Sequence, residues 1–126
     1  IDAVLAALVA SESMDGRDAG HQPFSVLLSD TPGGPVTGGL YGYQLFDWLF
    51  IQFVAVPRAL QGQGVGRDLM ARAERWARER GLAGLWLDTF AFQARPFYEK
   101  LGFTVFGTIE NHPRGSRRFF MQKRLD

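Results

Sequence analysis

The sequence predicts a single domain of the α+β (mixed α/β) class: a mostly antiparallel sheet with one strand–helix–strand crossover between two parallel central strands. Three observations predict it. A chain of 126 residues, 46% of them hydrophobic, supports one core and not two. Short apolar runs of strand length outnumber helical patterns along it. Only once does a long helical pattern separate two such runs, which makes that pair parallel and leaves the others to turns and hairpins.

The elements follow in order. Ile1, Val4, Leu5, Leu8 and Val9 recur at helical spacing, which predicts an amphipathic helix over residues 2–12. The chain begins at Ile1 rather than Met, consistent with a trimmed N-terminal edge. After the polar SESMDGRDAGHQ, the run PFSVLLSD predicts a strand and TPGG a turn. PVTGGLYGY predicts a second, glycine-interrupted strand with a bulge. A connection from Gln44 to Asp47 leads into WLFIQFVAV, whose continuous apolar run predicts a strand buried on both faces and ended by Pro57. Val65, Leu69, Ala73, Trp76 and Ala77 then mark one face of a helix that Gly81 terminates. LAGLWLDTF predicts a buried strand, QARPFYEKLG a short helix stopped by Gly102, FTVFGTI a strand, ENHPRGS a loop and RRFFMQKRL a closing strand.

Composition excludes several function classes. A formal net charge of +1 gives no bulk electrostatic reason to bind nucleic acid or a membrane surface. No run reaches the length of a membrane span. The absence of cysteine removes a disulfide framework, a thiolate zinc site and a cysteine nucleophile, and fits a reducing, cytoplasmic setting. With only His21 and His112, no metal site is expected. Alternation along a strand accounts for RRFFMQKRL more simply than a nucleic-acid interface does.

Chemistry enters at VAVPRALQGQGVGRDLM, Val54 to Met70, where Gly62, Gly64 and Gly66 stand between a strand and a helix. Amides at a helix start have no intrahelical acceptor and carry the positive end of the dipole. Glycines there let an anion approach without meeting a Cβ, so the junction is a candidate pyrophosphate cradle. A Walker loop is excluded, because Arg67 and Asp68 follow Gly66 where Lys and Ser or Thr are needed. A dinucleotide fingerprint would carry its last glycine one place later, and too little chain follows Phe90 for a doubly wound sheet.

These residues resemble the GNAT superfamily of N-acetyltransferases. Gln61, Gly64 and Gly66 match its Q/R-x-x-G-x-G/A acetyl-CoA motif, and Tyr98, Lys100, Gly102 and Phe103 in AFQARPFYEKLGF match its Y-x-K-x-G-F signature. The resemblance is strong from Trp48 onward and weaker before it. It implies the GNAT fold, in which the two parallel strands splay apart, and acetyl-CoA as cofactor. By the same resemblance, backbone groups of Val54, Ala55 and Val56 would pair with pantetheine. Gln61, Gly62, Gln63, Gly64, Val65, Gly66 and Arg67 would hold the pyrophosphate, and Phe97 and Tyr98 would flank the thioester.

The function implied is acetyl transfer to a primary amine of a small molecule, by direct attack in a ternary complex. A non-catalytic acyl-CoA-binding domain and a peptide-amine acetyltransferase are the alternatives. Thiols and phenols have reference pKa values of roughly 8.5 and 10, so Tyr98 is the candidate general acid for the departing thiolate. A backbone N–H near Val54 is the candidate oxyanion donor. The base is less legible. Some GNAT members carry a glutamate four residues before the Val54 position, where this chain has Phe50. Gln52 is a candidate for orienting water or substrate, and Asp47 and Asp88 for collecting a proton. Tyr41, Tyr43, Phe46 and Trp48 are candidates for an acceptor wall, with Tyr41, Trp48 and Asp88 the expected substrate contacts. The NHPRGSRR loop adds His112, Arg114, Arg117 and Arg118 as residues within reach of acceptor or cofactor, or as a solvated basic hairpin. Pairing of edge strands into a homodimer would be ordinary.

Overall fold

The computed structural model describes Val4–Val9 and residues 21–126. The described strands form one seven-stranded sheet in the order β1-β2-β3-β4-β5-β7-β6. They are β1 (Val4–Val9), β2 (Gln22–Ser29), β3 (Val36–Leu45), β4 (Trp48–Ala55), β5 (Gly84–Phe90), β6 (Thr104–Glu110) and β7 (Arg117–Arg124). Helix α1 (Val65–Glu79) crosses between β4 and β5, and the short α2 (Arg95–Lys100) follows β5. The β4–β5 pair is parallel and every other pairing is antiparallel, so the mixed class and the single crossover are borne out.

The N-terminal element differs from its expectation. Val4–Val9 is a strand running antiparallel to β2, from Val4 opposite Ser29 to Val9 opposite Phe24. Residues 2, 3 and 10–12 of the expected helix lie outside the described residues. An apolar run of this length satisfies either period, and the open edge of β2 offers it a hydrogen-bonding ladder that an isolated short helix lacks.

Helix α1 buries Val65, Leu69, Met70, Ala73 and Ala77 against one sheet face, where Val26, Leu28, Leu40, Leu49, Leu85, Leu87 and Met121 complete the core. Glu74 on its flank accepts from Lys123 Nζ at 2.7 Å, and Lys123 also donates to the Leu101 carbonyl at 2.9 Å. That bridge ties α1, the end of α2 and β7 together. Gly81 ends α1 at φ +69, as its spacing predicts.

β4 corrects a second expectation. It is covered on one face only: Leu49 and Ile51 are buried, whereas Gln52 and Phe53 are exposed. Its alternation also breaks. Gly42 pairs with Ile51 but Tyr41 pairs with Phe53, so Gln52 is an extra residue, a β-bulge. A side chain on Gly42 would collide with the Phe50 carbonyl, so glycine stands opposite the bulge. Because of the extra residue, Val54 pairs with the buried Leu40 and packs on the core, which strict alternation would have assigned to Phe53. The bulge expected in β3 is also present, as a register shift against β2 between Leu28 and Ser29.

The parallel pair separates almost at once. Trp48 faces Gly84, Leu49 faces Leu85 and Phe50 faces Trp86, and no further registers join β4 to β5. From Ile51 onward the side of β4 toward β5 is unpaired backbone, so the two strands splay as expected.

Candidate functional site

The glycine turn stands at the open end of that splay. After Pro57 a 3-10 turn over Arg58–Leu60 redirects the chain, and the Gln61 side-chain amide donates to the Val56 carbonyl at 3.2 Å, tying the turn back to the strand. Gly64 caps α1 with left-handed backbone at φ 81, ψ 8, a conformation that costs other L-residues roughly 1–2 kcal/mol. Asp68 is the first helical amide to find a carbonyl, that of Gly64, at 3.0 Å. The amides of Val65, Gly66 and Arg67 therefore have no intrahelical acceptor.

These amides border a cavity of about 760 Å³. Val54 and Val56 form its strand wall, the glycine turn with Arg67 its head, and Phe97, Tyr98, Lys100 and Leu101 from α2 its other side. Its charged lining residues are Arg67 and Lys100, with no carboxylate among them. A positive, largely apolar trough that begins at bare amides and runs beside unpaired strand backbone fits a long ligand with a diphosphate at one end and amide groups along it. This is the outline of acetyl-CoA.

A second cavity of about 230 Å³ fills the splay itself. It is lined by Gln52, Phe53 and Val54 of β4, by Leu87, Asp88 and Thr89 of β5, and by Gln93, Ala94 and Tyr98 beyond β5, with Ile51 at its base. The two cavities share Val54, Ala94 and Tyr98. Its one charged lining residue is Asp88. Asp88 pairs across the sheet with Phe120, which places it on the face opposite α1 with Trp86, Phe90 and Arg118. Tyr98, half-buried on α2, has its phenol held above the usual pKa, first by burial and second by the negative charge of Asp88.

The structure brings together most of the residues that sequence singles out. Val54, Val56, Gln61, Gly62, Gly64, Val65, Gly66, Arg67, Phe97 and Tyr98 line the larger cavity, and Gln52, Asp88 and Tyr98 the smaller. Ala55 and Gln63 line neither; the Gln63 side chain turns back to donate to the Ala59 carbonyl at 3.1 Å. Tyr41 lines neither cavity and lies beside Phe53, ring centroids 6.5 Å apart, Phe53 itself lining the smaller one.

Trp48 is not part of the group. It begins β4, at the end where β4 still pairs with β5, and Arg124 lies over its ring at 5.4 Å. Asp47 and Phe46 occupy the turn at that same far end, with the Asp47 carbonyl accepting from Ala83 N–H at 2.7 Å. The aromatic turn therefore does not border the smaller cavity. Sequence treated Tyr41 to Trp48 as one cluster because they are close in the chain, but strand geometry separates positions 48 and 54 by about 20 Å.

Two contacts of the site have no local sequence signal, the pairing of Arg118 with Asp88 and the role of Gln93. Arg118, from the terminal hairpin, donates to Asp88 Oδ1 from Nε at 3.0 Å and approaches it from Nη2 at 2.9 Å. Gln93 accepts from Phe90 N–H at 3.1 Å and from Thr89 Oγ1 at 3.3 Å, closing the loop that delivers α2. His112 reaches the same corner, edge-on to Phe90, whereas Arg117 pairs with Glu110 along the hairpin.

Residues 8–103 match the acetyltransferase (GNAT) family. The chain is 40% identical over 90 residues to an acetyltransferase of Agrobacterium fabrum, an alignment covering 71% of this chain and 66% of that protein. It is 36% identical over 93 residues to the blasticidin-S acetyltransferase of Streptomyces morookaense, covering 73% and 68% respectively. Among solved structures, an acetyltransferase from Bacillus cereus superposes with a TM-score of 0.70 at 30% identity, covering 98% of this chain and 74% of that one. The chain spans about two thirds of the length of these two curated relatives. Among the described residues, no helix is long and apolar enough to cross a membrane.

Proposed function

The chain belongs to the acetyltransferase (GNAT) family, whose cofactor is acetyl-CoA, and from that premise we propose that it transfers the acetyl group to a primary amine of a small molecule by direct attack in a ternary complex. The observation that carries this reading is the meeting of two cavities of opposite charge at Tyr98. One suits a polyanionic cofactor and the other an amine.

When bound, acetyl-CoA supplies the activated carbonyl and a thiolate leaving group. The chain's residues do the rest. Amides from Gly62 to Arg67, with the Arg67 guanidinium, hold the pyrophosphate. On the side that β5 leaves unpaired, backbone of Val54 and Ala55 with the Val56 N–H orients the pantetheine arm as a neighbouring strand would, and a Val54-region N–H stabilises charge developing on the carbonyl oxygen. Phe97 and Tyr98 exclude water, and Tyr98 donates its phenolic proton to the departing sulfur. Its raised pKa keeps that proton in place until a thiolate forms beside it. Gln52, exposed on the bulge, orients the incoming amine or a water that accepts its proton.

The small-molecule acceptor is supported by the relative that acetylates blasticidin S and by the modest size of the second cavity. The test measures thiol release from acetyl-CoA across a panel of primary amines that includes blasticidin S, with Tyr98→Phe as control. Turnover on at least one amine, lowered in the variant, is expected. Acetyl-CoA binding with no turnover on any amine would instead identify a non-catalytic acyl-CoA module.

A further inference from the structure

Asp88 is arranged for more than closing the smaller cavity. Both Arg118 contacts end on the same oxygen, Oδ1, so the guanidinium does not take the carboxylate in the usual two-oxygen fork. Among the described residues, Asp88 Oδ2 has no hydrogen-bond partner. Arg118 is itself fixed, its guanidinium 5.0 Å from the Phe120 ring and 5.6 Å from that of Phe90. The carboxylate is thus held at one oxygen with 18% of its side chain exposed, and its other oxygen is left for a ligand.

What that ligand carries follows from the chemistry. The attacking nitrogen must be neutral to react, and a carboxylate paired with it would hold it protonated. A carboxylate that serves recognition therefore pairs with a positive charge that persists through the reaction. Resting on the acetyltransferase reading above, we propose that the acceptor bears a second cationic group besides its reacting amine, that Asp88 binds this group through Oδ2, and that Arg118 is the positioning residue for Asp88. The cavity has room for about eight waters, enough for a short polar chain between the two charges. Phe53, 61% exposed at its rim, offers an aromatic surface for the acceptor's body. The arrangement also links recognition to chemistry. The Asp88 charge helps hold the Tyr98 proton, and a cation on Asp88 relieves that field only when an acceptor is present.

The probes are agmatine, a primary amine with a guanidinium at its far end, and n-hexylamine, of similar reach without the second charge. Wild-type kcat/KM should favour agmatine. Asp88→Asn should lower the agmatine-to-hexylamine ratio about tenfold or more, the size of one lost charge-assisted hydrogen bond, chiefly through the KM for agmatine. Arg118→Gln should do the same to a smaller extent, with partial rescue by Arg118→Lys, whereas a merely structural role would depress both amines alike. A coenzyme A titration establishes that each variant is folded. Equal wild-type use of the two amines, or an unchanged ratio in Asp88→Asn, overturns the proposal. Should the wild type bind coenzyme A but acetylate neither amine, the catalytic reading is decided by the wider amine panel and the cation site by binding. Calorimetry of agmatine on the coenzyme A complex then decides: heat lost in Asp88→Asn supports the cation site, and no heat in the wild type refutes it.

Discussion

Gly66→Val is the most direct probe of the cofactor trough. Gly66 lies in the first turn of α1, and a Cβ built on it would sit 3.2 Å from Phe97 Cζ, 3.6 Å from Cε1 and 3.7 Å from Val56 Cγ2. A single methyl asks the Phe97 ring to yield by a few tenths of an ångström. Valine projects two further methyls into the same space, and both Phe97 and Val56 line the trough. Overpacking of this kind costs about 1–3 kcal/mol. Replacing a helical glycine by valine returns about 0.3–0.4 kcal/mol of that. The net loss, roughly 0.6–2.7 kcal/mol, is small beside the 5–15 kcal/mol of a typical domain, so the variant should fold. Its coenzyme A affinity should fall by more than about tenfold, which is about 1.4 kcal/mol. Calorimetric titration, with thermal melting of the same samples, measures both quantities. Gly66→Ala is the graded control: helix propensity favours it by up to about 1 kcal/mol, and its affinity should fall far less. A folded Gly66→Val with unchanged coenzyme A affinity would refute the assignment of this trough.

Other outcomes are expected from the same geometry. Gly64→Val should also weaken coenzyme A binding by more than about tenfold, through left-handed strain worth roughly 1–2 kcal/mol at φ 81. In Tyr98→Phe, kcat should drop with coenzyme A affinity nearly unchanged; a wild-type rate removes the acid role. Because the Tyr98 phenol titrates above its usual 10.0 and acts in its protonated form, wild-type kcat should fall only above that pH, and Tyr98→Phe should lack this descending limb. Burial pushes the Glu74 carboxyl up, but hydrogen bonds and charge from Lys123 and Arg78 outweigh it and leave its pKa below the usual 4.5. Its stabilisation is therefore complete above pH 4.5 and is lost as pH falls through the lowered value. Glu74→Gln should cost about 1 kcal/mol at pH 7, a gap that narrows in acid; urea melts at several pH values would show it, and a constant gap would contradict the argument.

The site was legible where chemistry needs consecutive residues. A glycine turn followed by a helix identifies itself, because bare amides and left-handed backbone leave a signature in neighbouring positions such as Gln61, Gly64 and Gly66. The same holds for Tyr98 within its short helix. What escaped depends on distance or on one inserted residue. Arg118 meets Asp88 from thirty residues away, and no local pattern announces that pair. The bulge at Gln52 changes which of Phe53 and Val54 faces the core, yet both are apolar and either alternation reads plausibly. Val4–Val9 became a strand because a neighbouring edge accepts it, information absent from its own six residues.

The opening between β4 and β5 has a kinetic consequence. Its larger cavity lies with the helices, while Asp88 and Phe53 belong to the other surface of the sheet. With acetyl-CoA in the larger cavity and the amine in the smaller, as proposed, each reactant approaches Tyr98 from its own side of the sheet, and neither must leave for the other to arrive. Such a passage favours random-order addition: coenzyme A should compete with acetyl-CoA but not with the amine, and acetylated product should depart without waiting for the spent carrier.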